Sequence, residues 1–189
     1  METTRTDINA AGRTRPETLL VFDPDSRASA YCIARLNADA TAYVAHEVDG
    51  GGNPAHPVAW QDTHGLRELL LRAVGDADPS TVLVAVETQA VNSPWAQDCE
   101  QLFAFRYRLA TLCDLQGVRC LHVEPATWMR ATVPGAFRGT LNASVKRAYR
   151  AHARGLFGAK LAANEDRCAA ICVTQWLAAE LGCYLRVRP

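Results

Sequence analysis

Leu19-Leu20-Val21-Phe22-Asp23-Pro24-Asp25-Ser26-Arg27 is the stretch whose reading decides the fold. Four apolar residues without alternation describe a strand buried on both faces. Pro24, Asp25 and Ser26 are turn formers, and residues 28–36 resume an extended run, so the chain is expected to reverse into a hairpin. Asp23 then stands on or at the end of a central strand. A carboxylate is costly to bury there unless something pairs with it, and a metal ion is one such partner. Capping the turn is the other role open to Asp23.

Working outward, Asn37-Ala38-Asp39-Ala40 is a turn, and Thr41 to Glu47 makes a third strand with Tyr43 and Val44 as β-favouring residues. Gly50-Gly51-Gly52-Asn53-Pro54 opens a loop. A helix capped by Asp62 or Thr63 follows, with Leu66, Leu69, Leu70 and Val74 on one face. Thr81-Val82-Leu83-Val84-Ala85-Val86 is a second buried strand, and it too runs into an acid, Glu87. Ser93-Pro94 starts a long helix reaching about Leu115, which Gly117 closes. A short strand from Val118 to Val123, a helix from Pro125, a basic helix over 141–153 ended by Arg154-Gly155, and a closing helix over 164–181 complete the chain.

A three-strand meander followed by alternating helices and strands implies an α/β fold, a mixed five-stranded sheet flanked by helices. It forms one domain over 18–189, behind a disordered lead-in over 1–17. The crossover from the third strand should set Thr81–Val86 beside the first one, bringing Asp23 and Glu87 to neighbouring strand ends. Ligand sites of open α/β sheets gather at such ends.

At 189 residues the chain is long enough for a substantial core. No apolar run approaches the roughly 18 residues of a membrane span, and the polar start lacks a signal-peptide apolar segment, so no membrane partner and a cytoplasmic location are expected. Seven widely spread cysteines read as reduced, buried thiols. Cys168 and Cys172 share a helical face, but no CxxC or Cys/His cluster accompanies them, which argues against zinc. The five scattered histidines argue against a His-centred mechanism. Formal net charge is zero, which predicts no general affinity for polyanions. Yet Pro125 to Asn164 carries seven basic residues (Arg130, Arg138, Lys146, Arg147, Arg150, Arg154 and Lys160) and no Asp or Glu. Lys146, Arg150 and Arg154 recur every fourth residue, on one helix face. Either this is a solvated face or it meets a local anionic partner; the absence of acids favours phosphate backbone.

Two neighbouring carboxylates repel, and one stays protonated unless a cation neutralises the pair. Mg²⁺ accepts a few carboxylates and leaves positions for substrate phosphate. Two such ions about 4 Å apart clamp the attacking and leaving oxygens of a phosphodiester. Further acids must come from another element, and the closing helix offers Glu165 and Asp166 in its first turn. Acids there also suit the helix dipole, so each has two roles open to it.

The stretch Leu19 to Pro189 resembles the RuvC-type Holliday-junction resolvases of the RNase H-like fold. The family's hydrophobic-Asp-Pro-Gly-Ser motif is matched by Val21-Phe22-Asp23-Pro24-Asp25-Ser26, and its hydrophobic-Glu strand by Val84-Ala85-Val86-Glu87. Pro125 to Gly135 matches a Pro-x-x-hydrophobic-basic-x-x-Val-x-Gly segment, and Asn164-Glu165-Asp166-Arg167-Cys168-Ala169-Ala170 matches the acidic start of the closing helix. The resemblance implies an RNase H-like sheet and an endonuclease resolving Holliday junctions or other branched DNA with two Mg²⁺ or Mn²⁺ ions. Asp23, Glu87, Glu165 and Asp166 would be its catalytic and metal-binding acids. Arg130, Arg138, Lys146, Arg147, Arg150 and Arg154 would contact DNA. Trp95 would either stack on unpaired bases or be a buried residue at a helix start. A homodimer through the helix from Trp95 to Leu115 is implied, as is a compartment holding DNA: cytoplasm, organelle or the host of a virus.

Two departures stand out. The family's glycine after Asp-Pro is Asp25 here. Aligning on Cys168-Ala169-Ala170 puts Glu165 on the first of two family aspartates and Cys168 on the second, and a thiol is a poor Mg²⁺ ligand. Either Asp166 substitutes, or three acids suffice, or the protein binds branched DNA without cutting it.

Overall fold

The computed structural model describes residues 14–24, 29–50, 62–88, 96–136 and 142–187, side chains of 96–99 excepted. Asp25, Trp95 and Arg138 lie outside the described residues, so the expectations placed on them have no structural counterpart here.

The expected hairpin forms: β1 (Thr18–Asp23) pairs antiparallel with β2 (Ala30–Leu36), Asp23 opposite Ala30. β3 (Ala42–Gly50) completes the meander. Helix α1 (Thr63–Val74) is capped by the Asp62 carboxylate, which accepts from the Gly65 amide at 2.7 Å. It carries the crossover to β4 (Val82–Glu87), which lies parallel to β1 as expected. Helix α2 (Ala96–Gln116) leads to β5 (Arg119–Val123), parallel to β4. Then come α3 (Pro125–Thr132), α4 (Ala143–Leu161) and α5 (Glu165–Glu180).

The sheet is mixed and flanked by helices, with a sixth strand beyond the five expected. β6 (Tyr184–Val187) pairs parallel with β3, giving the order β5-β4-β1-β2-β3-β6. Its four residues alternate exposed and half-buried, a signal too short to read in sequence; the unpaired edge of β3 is what draws it into the sheet. The basic helix is also longer than expected. Val145, Tyr149, Ala153 and Phe157 continue one buried face past Arg154-Gly155, and the helix bends only at Gly158, where φ is +74°.

Every residue of β1 and β4 is buried, because both sheet faces are covered. On one face Leu20, Phe22, Val84 and Val86 pack with Leu66, Leu69 and Leu70 of α1 and Phe105, Leu109 and Cys113 of α2. Phe22 meets Phe105 edge-on at 5.6 Å, a pairing that adds about 1 kcal/mol to its area burial. On the other face Leu19, Val21, Leu83 and Ala85 pack with Trp128 of α3, Tyr149 of α4 and a run of small residues on α5. Helix α5 is buried on most sides, which is why its sequence shows little amphipathic pattern.

Candidate active site

Strand alternation fixes where the acids point. Leu19 and Val21 face the α3–α4–α5 side, so Asp23, two residues on, faces it too; Leu83, Ala85 and Glu87 repeat the pattern. The parallel register ends with Phe22 beside Val86, which sets Asp23 beside Glu87 on strands about 4.8 Å apart. Both are buried, Asp23 at 9% and Glu87 at 6% exposure. The convergence of two acids that are far apart in the chain therefore follows from strand pairing alone.

Glu87 does not stand unaided. The Trp128 indole donates to its Oε2 at 2.6 Å, and Trp128 is itself fully buried at the second turn of α3. Burial pushes the Glu87 carboxyl up to about 7, and the indole hydrogen bond pulls the other way. Tyr149 lies edge-on to Trp128 at 5.5 Å. Its phenol is held far above the usual range, first by burial and then by the charges of Glu165, Asp23, Glu87 and Asp166. All four expected acids thus push this phenol in the same direction.

The third and fourth acids come from the start of α5. Asn164 caps that helix by accepting from the Arg167 amide at 2.8 Å and donates through Nδ2 to the Gly50 carbonyl at 3.3 Å. Arg167 donates through Nε to the same carbonyl at 3.1 Å and through Nη2 to the Asp49 carboxylate. The helix start is thereby fastened to the end of β3. Gly50 has φ +84°, and a Cβ there would sit 2.1 Å from the Ser29 carbonyl oxygen, so the junction accepts only glycine.

Glu165 is engaged by cations: Lys146 Nζ lies 2.5 Å from Oε1, and an Arg150 Nη lies 3.9 Å from Oε2. Arg154, third in the row, donates to the Ala162 and Ala163 carbonyls at 3.2 and 3.4 Å. The expected cationic row thus exists and runs along α4 beside the start of α5. Arg147 and Arg130 are exposed, on α4 and α3 respectively. Cys168 is fully buried, its thiol directed at the Ala162 carbonyl at 3.5 Å, and burial raises its pKa. It is a core residue and not part of the acidic group.

Among the described residues no three His, Cys, Asp or Glu side chains lie close enough together to hold a metal ion unaided. The strand-tip pair nonetheless fits Mg²⁺ by its donor chemistry. It offers two hard, buried carboxylates with too little solvent to stabilise both charges, and Mg²⁺ takes one or two carboxylates together with water and substrate phosphate.

Sequence reading missed Trp128, Tyr149 and Arg167. A Trp inside an apolar segment reads as core packing; its signal was the indole N–H, which needs an acceptor once buried. Arg167 beside two acids reads as a helix-surface ion pair, and only folding brings Asp49 to it.

No protein-family model matches the sequence, and no curated protein matches it. Solved structures do. RuvC of Thermus thermophilus in complex with a Holliday junction substrate superposes with a TM-score of 0.58 at 11% identity, covering 86% of this chain and 93% of that one. A second structure of Thermus thermophilus RuvC gives 0.58 at 13% identity over the same shares. The yeast mitochondrial Holliday junction resolvase Ydc2 gives 0.50 at 13% identity, covering 94% of this chain and 85% of that one. The chain therefore has the RNase H-like fold of the RuvC-type resolvases.

Proposed function

We propose that this chain is a divalent-metal-dependent endonuclease that cuts branched DNA by phosphodiester hydrolysis, with Holliday junctions as the first substrate to test. The observation that carries this reading is the pairing of Asp23 and Glu87 at adjacent buried strand tips, on the sheet face that α4, the helix bearing Lys146 and Arg150, covers. The fold shared with the resolvases supports the choice of a DNA substrate.

Asp23 and Glu87 would hold Mg²⁺ or Mn²⁺, two ions per site, with Asp166 as the third ligand. Such ions supply charge stabilisation and an acidified water for attack on the phosphodiester. Trp128 fixes one Glu87 oxygen by hydrogen bonding and leaves the other for coordination. Glu165 neutralises Lys146 and Arg150 until a DNA phosphate takes its place, and Arg154, Arg147 and Arg130 extend the contact along the backbone. Phe103, Tyr107 and Leu115 are exposed on α2, which suits that helix to pair with its copy in a homodimer, two active sites then acting on two strands.

A second reading, binding without cutting, draws on Cys168, which is core where the family places an acid, and on the engagement of Glu165 by cations. Incubation with a synthetic four-way junction and Mg²⁺ separates the two: nicks near the crossover support the enzyme, retention without nicks the binding protein. Asp23→Asn and Glu87→Gln should each abolish nicking and leave junction binding within a few-fold of the parent. Nicking by both variants at the parent rate would refute the site.

A further inference from the structure

On the sheet face away from the acids, α2 and β5 hold a second cluster. Cys113 and Arg106 are seven residues apart on one face of α2, and Cys120 and His122 are two apart on one face of β5. The helix turns straight back into the strand. Gly117 has φ +69°, the Val118 amide donates to the Cys113 carbonyl at 2.9 Å, and the Gly117 amide donates to the Asp114 carbonyl at 3.2 Å. This fold-back sets Cys120 against the apolar cluster that holds Cys113, and sets Arg106 against His122, Nη2 to Nδ1 at 3.0 Å. Arg can only donate, so Nδ1 accepts and the ring keeps its proton on Nε2.

The two thiols are not alike. Cys113 is fully buried, while Cys120 alone among the six described cysteines is partly exposed. Cys113 first, and then His122, favour the Cys120 thiolate, with the half-buried Arg106 guanidinium close by; burial and Asp114 oppose them. Cys120 is held below the ordinary thiol range and Cys113 above it. A partly exposed thiol packed against the cluster that holds a fully buried one, with a cation close by, is the arrangement of a peroxidatic and a resolving cysteine.

We propose that Cys113 and Cys120 form a hydroperoxide-reactive pair that closes into a disulfide tying α2 to β5. The Cys120 thiolate attacks one oxygen of a hydroperoxide, the O–O bond breaks, and the alkoxide (hydroxide, for hydrogen peroxide) leaves and is protonated, giving a sulfenic acid. Cys113 then attacks the Cys120 sulfur, and the expelled hydroxide leaves as water with the Cys113 proton. Two thiols and one hydroperoxide become a disulfide, an alcohol and a water; the sulfurs lose two electrons and the hydroperoxide gains them. The site uses none of the residues assigned to DNA, so it stands or falls independently of the nuclease reading.

The test is limiting hydrogen peroxide on the full reduced chain at neutral pH, alkylation of the remaining thiols, and peptide mapping by mass spectrometry. The expected product is a Cys113–Cys120 disulfide formed ahead of oxidation at any other cysteine, with the preference lost in denaturant. Cys113→Ser should stop the reaction at a Cys120 sulfenic acid that dimedone captures. Alkylation of Cys120 in the untreated protein should show a pH midpoint below the ordinary thiol value of about 8.5. A map in which Cys120 stays reduced while other thiols oxidise, or pairs with another cysteine, overturns the proposal, as does an ordinary alkylation midpoint.

Discussion

Trp128 Nε1 and Glu87 Oε2 are joined by a 2.6 Å hydrogen bond across 41 positions of chain, with both side chains buried. The bond aims a carboxylate that the strand alone would leave free to rotate. A charge-assisted hydrogen bond of this kind is worth about 1.5–3 kcal/mol when buried. Trp128→Phe keeps an aromatic ring beside Tyr149 and removes the donor, along with part of the buried indole volume, so nicking is compared per folded protein. Junction nicking should fall about 10–100-fold, as for other groups that orient a metal ligand, with raised Mg²⁺ restoring part of it. An unchanged Mg²⁺ requirement at the parental rate would show that the bond only packs the core.

The same carboxyl predicts how stability follows pH. Burial raises the folded pKa of Glu87 from 4.5 to about 7, so between these values the folded state holds a proton that the unfolded state has released. Stability from this group is complete below about pH 4.5 and declines as pH rises through 7, by about 3 kcal/mol in all without divalent ions. Denaturant unfolding of the parent and Glu87→Gln across pH 4–8 should show this slope in the parent and its absence in the variant. Added Mg²⁺ should recover stability above pH 7 in the parent alone.

Glu165 and Asp166 should separate by mutation. Glu165 is a third exposed and paired with Lys146, so the pair contributes at most about 1 kcal/mol to stability. Glu165→Gln should leave folding and nicking nearly intact and tighten junction binding by freeing Lys146 and Arg150. Asp166→Asn should lose nicking. The opposite pattern would make Glu165 the ligand.

Lys146→Ala and Arg150→Ala should each weaken binding of all DNA sequences alike. Each should also reduce the slope of log affinity against log salt by about 0.9. Titrations at several salt concentrations measure this directly. A change confined to one base sequence would point to groove contacts.

Gly50→Ala should destabilise the protein by about 2 kcal/mol or more, because it combines a positive φ with a Cβ 2.1 Å from the Ser29 carbonyl oxygen. The melting temperature should fall by about 5 °C or more. Nicking should fall further than the loss of folded protein explains, since Gly50 is the anchor for Asn164 and Arg167 at the start of α5.

The amino-acid sequence by itself determined the buried strands β1 and β4, the hairpin after Asp23, the crossover that lays β4 beside β1, and the cationic spacing of Lys146, Arg150 and Arg154. Each depends on local periodicity or on a chirality rule, and both act over short stretches of chain. The pairing of Asp23 with Glu87 was legible for the same reason: two strands in register carry their terminal residues to one edge.

Only the tertiary structure decided which groups surround those acids. Trp128 reaches Glu87, Arg167 reaches Asp49, Lys146 reaches Glu165, and Cys168 turns into the core, all through contacts between elements far apart in the chain. Such partners leave no periodic trace, because a buried hydrogen bond depends on where two side chains meet and not on how they are spaced. The strand β6 escaped notice likewise: four residues form it only because β3 presents an open edge.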